Sequence, residues 1–338
     1  MGLIGNALGL TNIEAFRFKD TVMYKNNSDL LNKHNALKKL SEEYPNNEDI
    51  KNELYIVKKG FEGENEIAYQ LSKASIGMYV LRDVKVKYND LTAQIDFIVI
   101  TPIYTYYIEC KNLIGNITVT DKGDFIREYT LNGKKIKKGL YSPLRQVEAQ
   151  REVLRKIWEC NSSSFTKVIA SDKFNKYRKV LVVAANPETI LNTNKAPNDM
   201  KYKILRADGL IRQIEYDLSH KDKDEYIFSQ KEMEEKAKYY MSISVNEEID
   251  YYTHFKNKYC TDNNKNDDLR NRLLELRKNR SNEMNIPAYY VFNNEELDKL
   301  VELRPKTIEE LRNSNILTPI KVKTHGEKIV NLINNDKN

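Results

Sequence analysis

Residues 92–112, TAQIDFIVITPIYTYYIECKN, constrain the fold more than any other stretch of the chain. Residues 92–101 and 104–112 are both crowded with Ile, Val, Phe, Tyr and Thr, which fit a pleated surface, so each predicts a strand. Pro102 fixes φ and offers no N–H to a ladder, so the chain turns there and the strands pair as a hairpin. A turn centred on Pro102 and Ile103 sets Asp96 opposite Glu109 and Gln94 opposite Lys111. Period-two alternation gathers these four groups on one face and Ile95, Phe97, Val99, Ile108 and Cys110 on the other. Directly opposed carboxylates repel. A fold retains such a pair when a cation lies between them, and for oxygen donors the usual one is Mg2+ or Mn2+. A lone Asp or Glu on a strand ordinarily faces solvent. Here a D-x(12)-E-x-K spacing brings two acids and an amine together inside apolar strands.

At 338 residues the chain has room for two hydrophobic cores. Its 40% hydrophobic content and mean hydropathy of −0.67 describe a polar surface. No run approaches the ~18 apolar residues that cross a bilayer, so no membrane partner is expected. The opening MGLIGNALGL lacks the charged start of a secretory signal and has Asn6 where a myristoylation motif takes Ser or Thr. Cys110, Cys160 and Cys260 are odd in number and far apart, which supports neither disulfides nor zinc and points to a reducing cytoplasm. A net charge of +6 permits contact with phosphates without demonstrating it.

Residues 1–50 read as a polar extension with helical signs at 30–44 and no visible chemistry. A helical pattern then runs from about Ile50 through Glu64 to Ser72. Ile67, Ala68 and Leu71 follow Glu64 by three, four and seven positions, so Glu64 falls on the apolar stripe. A carboxylate there needs a partner. The expected one is the metal cluster or Lys111, directly or through water. Residues 78–88 read as a strand, and 125–129 and 134–140 as a second hairpin around Asn132-Gly133. That hairpin carries Lys134, Lys135, Lys137 and Lys138, candidates to grip a phosphate backbone. Pro143 starts a helix whose Gln146 and Gln150, four apart, share a face. Continuous apolar runs at 179–186 and 201–208 read as buried strands, so the fold class is α/β with a mixed sheet flanked by helices. Residues 227–258 are helical, 260–268 (CTDNNKNDD) read as a linker and domain boundary, and the last ~70 residues are all-helical. Asn293 with Glu296 and Thr307 with Glu310 mark two helix starts as capping boxes.

Asp96 with Glu109-Cys110-Lys111 resembles the core of the PD-(D/E)xK nuclease superfamily. More narrowly, residues 58–216 resemble the nuclease-related domain, NERD. The resemblance is carried by Gly60-x-x-Gly63-Glu64, the Gln94-Ile95-Asp96 strand, Glu109-Cys110-Lys111-Asn112, Gly115 and Pro143-x-x-Gln146, in matching order and spacing. The C-terminal region resembles HRDC, the small helical-bundle module of RecQ-type helicases and some nucleases. Its carrying residues are Leu276-Arg277-x-x-Arg280, residues 286–292, Leu303-Arg304-Pro305-x-Thr307-x-Glu309-Glu310-Leu311 and His325-Gly326-Glu327-x-Ile329. It departs from that family at residues 315–319, where a Gly-rich turn is usual. Its charge is nearly balanced, 14 Lys and Arg against 12 Asp and Glu over 265–338, which argues against strong DNA binding by this module alone. Lys321, Lys323 and His325 are the contacts expected if it binds.

The resemblances imply an extension (1–50), a restriction-endonuclease-like nuclease domain (51–218), a connector (219–264) and an HRDC domain (265–338). They imply a Mg2+- or Mn2+-dependent nuclease acting on DNA, with RNA left open, in DNA repair, processing or phage defence. Asp96, Glu109 and the Cys110 carbonyl would hold the ion. Lys111 would orient or deprotonate the attacking water, Glu64 would complete the coordination or anchor Lys111, and Gln94 and Gln146 would support. No P-loop motif occurs, so any helicase partner would be a separate chain. Self-association of the chain is a further expectation. The competing reading is a nucleic-acid-binding scaffold with an idle centre that works with a helicase.

Overall fold

The computed structural model describes residues 18–131, 133–162, 173–223, 225–245, 248–260, 263–284 and 286–335. The opening decapeptide and Asn132 of the second hairpin turn lie outside the described residues. The chain divides into two compact units, residues 1–249 and 250–338.

Six strands form the central sheet of the first unit, side by side in the order β1 (Thr21–Lys25), β2 (Met78–Tyr88), β3 (Leu91–Ile100), β4 (Thr105–Lys111), β8 (Arg178–Ala184) and β10 (Ile204–Arg206). β2, β3 and β4 are antiparallel, whereas β1 joins β2, and β8 joins both β4 and β10, in parallel. A second sheet orders β7 (Lys134–Leu140), β6 (Phe125–Leu131), β5 (Asn116–Val119) and β9 (Leu191–Asn192). The expected mixed sheet between helices is therefore the observed architecture.

Both faces of the central sheet are apolar and each is covered by helices. Against one face, α3 (Pro143–Asn161) and α5 (Gln230–Ser242) bury Val147, Leu154, Ile157, Met233 and Ala237 on Leu81, Ile98, Tyr107 and Val182. Against the other, α2 (Glu48–Ser72) and α4 (Leu210–Ser219) bury Ile67, Leu71, Leu210 and Ile214 on Val80, Phe97, Ile108 and Val183. Burying both faces explains why these strands read as near-continuous apolar runs.

The catalytic-type hairpin turns where Pro102 predicts: Thr101 N donates to Tyr104 O (2.9 Å), and Ile100 pairs with Thr105 down to Phe97 with Ile108. The β3–β4 ladder ends there, one residue short of Asp96 and Glu109. The strict alternation predicted for β3 does not survive this point. Phe97 and Val99 pack in one core, but Ile95 packs in the other with Ile98 and Ile100. β2 slips at the facing position, where Asp83 is left-handed (φ 54°) between Leu81 and Val84 of the same core. Because both strands slip together, their register is unbroken (Arg82–Phe97, Val84–Ile95) while the side chains beyond change face.

The N-terminal segment is no appendage to this unit. β1 is the edge strand of the central sheet, and α1 (Asp29–Glu43), capped by Ser28, leans on α2 at Gly60. A side chain on Gly60 would stand 3.2 Å from Leu30 Cδ1.

In the second unit, α7 (Asn263–Met284), α8 (Asn294–Leu303), α9 (Ile308–Asn313) and α10 (Pro319–Asn334) bury Leu269, Leu273, Leu297, Leu300, Leu311 and Ile329 with Phe292 in one core, and α6 (Tyr251–Cys260) buries Tyr251 and Phe255. The segment read as a linker at 260–268 differs: it is helical from Asn263, and the units part at Ile249/Asp250. Polar composition alone does not stop a helix that can lay Leu269 and Leu273 on a core. Asn293 and Glu296 form the expected reciprocal cap of α8. Thr307 caps α9, but the return bond of Glu310 goes to Lys306 N rather than Thr307 N. Among the described residues no helix is long and apolar enough to cross a membrane.

Candidate active site

The parting of β3 and β4 opens a fork, and the polar groups of the hairpin collect in it. Asp96, Glu109, Glu64, Gln94 and Gln146 line one cavity of about 270 Å3 together with Leu30, Lys33, Gly60 and Cys110. With β3 no longer paired on this side, the Cys110 amide donates instead to Asp96 Oδ2 (2.7 Å). Lys111 O faces the other way, accepting from Ala185 N (3.0 Å), so alternation turns the Cys110 carbonyl toward the fork. The Cys110 side chain packs away against the α2-side core, where burial pushes its thiol well above the usual range.

Glu109 is buried, with 2% of its surface exposed, yet both its oxygens are bonded. Lys111 Nζ donates to Oε1 (2.6 Å) and Gln150 Nε2 to Oε2 (3.0 Å). Lys111 Nζ also donates to Gln146 Oε1 (3.1 Å). Gln146 and Gln150 thus sit one helical turn apart on α3, one holding the amine and the other the acid. The sequence marks Gln146 as a supporting residue and Gln150 only as its neighbour, and the i+4 spacing between them is the signal that identifies Gln150. Asp96 lies half-buried beside this pair. Burial first, and the Glu109 charge second, push its carboxyl well above the ordinary range.

Gln94 is placed otherwise than expected, and Glu64 has direct partners of its own. Glu64 falls on the buried face of α2 as predicted. Arg82 Nε and Ser28 Oγ both donate to Glu64 Oε2 at 2.8 Å. The slip at Asp83 explains this: Arg82 precedes it and faces α2, whereas Glu109 and Lys111 face α3. Gln94 lies beyond the slip and donates to Asp83 Oδ1 (2.6 Å) instead of standing beside Lys111. Arg82 and Asp83 escaped the sequence reading, although two adjacent charges inside the apolar run MYVLRDVKVKY were a visible irregularity.

Gly63 lets α2 approach β4 closely enough for Glu64 to reach the cavity. A Cβ there would stand 2.6 Å from Asn112 Cβ and 3.2 Å from Cys110 Sγ. Gly63→Ala is therefore expected to destabilise the fold by about 1–3 kcal/mol through overpacking, read by urea unfolding. An unchanged midpoint would show that α2 can move aside freely.

Models of protein families match this chain twice: the nuclease-related domain over residues 59–183 and the HRDC domain over residues 266–333. The chain carries a nuclease-related domain followed by an HRDC domain. Comparison with curated proteins and with solved structures gave no match. The matched nuclease-related span contains Glu64, Asp96, Glu109, Lys111, Gln146 and Gln150 but not β1, Ser28 or α1.

The expected nucleic-acid contacts fare differently. In the nuclease-related unit, Lys134, Lys135, Lys137 and Lys138 are exposed on β7, the edge strand of the second sheet. Lys137 pairs with Glu128 (2.6 Å), and Lys138 lies over the Tyr129 ring. In the HRDC unit, Lys321 is committed to Glu296 (2.7 Å), and His325 is buried beneath the helix surface, so neither offers itself to phosphate. Lys323 is exposed. Where the resembled family has a Gly-rich turn, Asn315 takes the left-handed conformation (φ 52°), and Ile316 and Leu317 are buried.

Proposed function

We propose that this protein is a metal-dependent nuclease that hydrolyses phosphodiester bonds of DNA. One observation carries the reading: Asp96 and Glu109 share a cavity at the β3–β4 fork with the Lys111 amine bonded to Glu109. The nuclease-related and HRDC matches support a nucleic-acid substrate.

The donors at the fork are the Asp96 and Glu109 carboxylates and the Cys110 carbonyl, all hard oxygens. Among the described residues no group of three or more His, Cys, Asp or Glu side chains is placed to hold a metal ion. Two carboxylates with a carbonyl fit Mg2+ or Mn2+, which keep waters and share substrate phosphate oxygens, better than a cation needing a full protein cage. When bound, the ion supplies charge neutralisation on the phosphate and lowers the pKa of water.

The remaining work falls to side chains. Gln150 fixes one oxygen of Glu109, and Gln146 steadies Lys111 within reach of an incoming oxygen. Lys111 then offers a cation to the charge developing on the phosphoryl oxygens and a donor that orients the attacking water. Glu64 keeps Oε1 outside its pair with Arg82 and Ser28, so its contribution runs through water. Lys134, Lys135 and Lys138 on β7, with Lys323 of the HRDC unit, supply cations for the DNA backbone. DNA processing or phage defence beside a separate helicase is the setting this domain pairing suggests.

A second reading is favoured by one observation, the engagement of Glu64 by Arg82: a nucleic-acid-binding scaffold with an idle centre. Incubation of plasmid and single-stranded DNA with Mg2+ or Mn2+ separates the two. Cleavage is expected from the wild type, to vanish with chelator and to fall about 100-fold in Lys111→Met. Equal rates in wild type and Lys111→Met would remove the catalytic assignment. Calorimetric Mn2+ binding unaffected by Asp96→Asn would favour the scaffold.

A further inference from the structure

A second cavity, of about 440 Å3, lies away from the fork at the other end of β4. Thr105 of its wall starts β4, and Glu109 stands four residues on, about 13 Å along the strand. The cavity opens between α3 and α5, and its walls are mostly aromatic: Tyr107, Trp158, Phe174, Phe228, Tyr239 and Tyr240. None of the side chains that line the fork lines it.

Into these walls the fold sets two cations. Arg178, at the start of β8, lies over the Phe174 ring (4.1 Å) and the Trp158 ring (5.6 Å), and Lys236 of α5 lies over the Phe228 ring (3.0 Å). A ring face attracts a cation but offers no lone pair, so the N–H donors still need acceptors. Among the described residues neither side chain has a carboxylate partner. Glu232, one turn before Lys236 on α5, is the ready candidate. Its oxygens are instead taken by Tyr226 and by the hydroxyl and amide of Ser229, in the cap of that helix. Glu235 stands at the exposed rim. Burial first and Arg178 second push the Lys236 ammonium down to about 7, which Glu232 only partly offsets. A third donor adjoins them. The buried Tyr107 and Tyr240 hydroxyls share one hydrogen bond (2.7 Å), which uses one of their two protons and leaves the other without an acceptor among the described residues. Like charges and a spare hydroxyl proton gathered beneath aromatic rings cost the fold stability unless an anion meets them.

We propose that this cavity is a second ligand site, which takes a nucleoside monophosphate with its phosphate on Arg178 and Lys236 and its base against the aromatic walls. Arginine and lysine supply the charge and the donors that a phosphate accepts, and aromatic faces stack any base. A bare anion would leave the rings unused, and a neutral ring would leave the cations unmet. The site draws on nothing at the fork, so it stands whether or not Asp96 and Glu109 serve cleavage.

Trp158 is the one tryptophan of the chain, so its fluorescence reports on this cavity. The full chain is titrated without metal at about pH 6, below the depressed value of Lys236, with dAMP, deoxyadenosine and inorganic phosphate in turn. dAMP is expected to quench Trp158 and to bind at least about tenfold more tightly than either fragment. Lys236→Met should weaken dAMP binding about tenfold and leave the ligand-free melting temperature unchanged or higher, because the ammonium is unfavourable in the folded protein. dAMP should raise the wild-type melting temperature and leave the variant nearly unmoved. Where dAMP binds, a 5′-phosphorylated oligonucleotide names the source of the nucleotide: equal affinity gives a strand end, and no quenching gives the free molecule. Absence of quenching by dAMP up to about 5 mM overturns the proposal. So does binding of deoxyadenosine or of phosphate alone as tight as that of dAMP, a comparison made on the wild type that needs no variant to fold. Equal dAMP affinity in wild type and Lys236→Met overturns it as well.

Discussion

Asp96→Asn is expected to reduce DNA cleavage by about 1,000-fold or more and, at the same time, to raise the melting temperature of the metal-free protein. The substitution keeps an oxygen for the Cys110 N–H, which Asp96 Oδ2 accepts at 2.7 Å, and removes only the charge. That charge is costly in the folded protein. Burial and the neighbouring Glu109 hold the Asp96 carboxyl well above its ordinary value, so the folded state binds this proton more tightly than the unfolded chain does. Stability contributed by the protonated form is then present at low pH and is lost as pH rises through the folded-state pKa. Near neutral pH the wild type carries the unfavourable charge and the variant does not. The gain should be about 1 kcal/mol, or roughly 2–4 °C for a unit of this size, and should shrink as pH falls toward ~4, where Asp in the unfolded chain begins to bind its proton as well. Added Mn2+ should raise the wild-type melting temperature and leave the variant nearly unmoved. Calorimetric melts at pH 4 and pH 7.5, with and without Mn2+, decide the matter. A variant less stable than wild type without metal would mean that Asp96 is held for structure, not for a cation.

The β3–β4 hairpin was legible because its determinants are local. Pro102 sets the turn, the turn sets the register down to Phe97 and Ile108, and the next residues, Asp96 and Glu109, line one cavity. The strand at 78–88 and the Pro143 helix start were legible for the same reason, each marked by its own pattern of apolar residues or its cap. What escaped was non-local or rare. A non-glycine residue in the left-handed region, Asp83, reverses which face its successors occupy, and no period-two reading anticipates that. The partner of Glu64 lies on a strand beyond its own helix, and Lys321 is neutralised by Glu296 from another helix of the HRDC unit. The polar extension proved to be an edge strand and a capped helix because β2 was there to pair with it. Fold class follows from pattern. The assignment of charges to partners follows from packing, which a single sequence displays only as charged residues in apolar runs.

Arg82→Met is expected to be the most destabilising of the substitutions considered, by about 3–5 kcal/mol near pH 8, because it strands a buried carboxylate. The side chains of Arg82 and Glu64 are 5% and 6% exposed, and Arg82 is further held by Asn65 (2.8 Å) and by the Phe61 and Phe97 rings. Its Nη2 has no hydrogen-bond partner among the described residues, so the ion pair is incompletely satisfied even in the wild type. Burial already holds the Glu64 carboxyl above its usual range, opposed by the bonds from Arg82 and Ser28. Without the guanidinium, burial wins by more and the carboxyl rises further. The sign follows: the variant's deficit grows as pH climbs from the ordinary glutamate value toward the raised one, and shrinks on acidification as Glu64 takes up a proton. Arg82→Met combined with Glu64→Gln should recover most of the loss at pH 8, since Gln still offers Ser28 an oxygen without a charge. Urea unfolding at pH 5 and pH 8 measures both effects. The same deficit at both pH values, with no recovery in the double variant, would mean that Arg82 matters for its packing between the phenylalanines and not for the charge of Glu64.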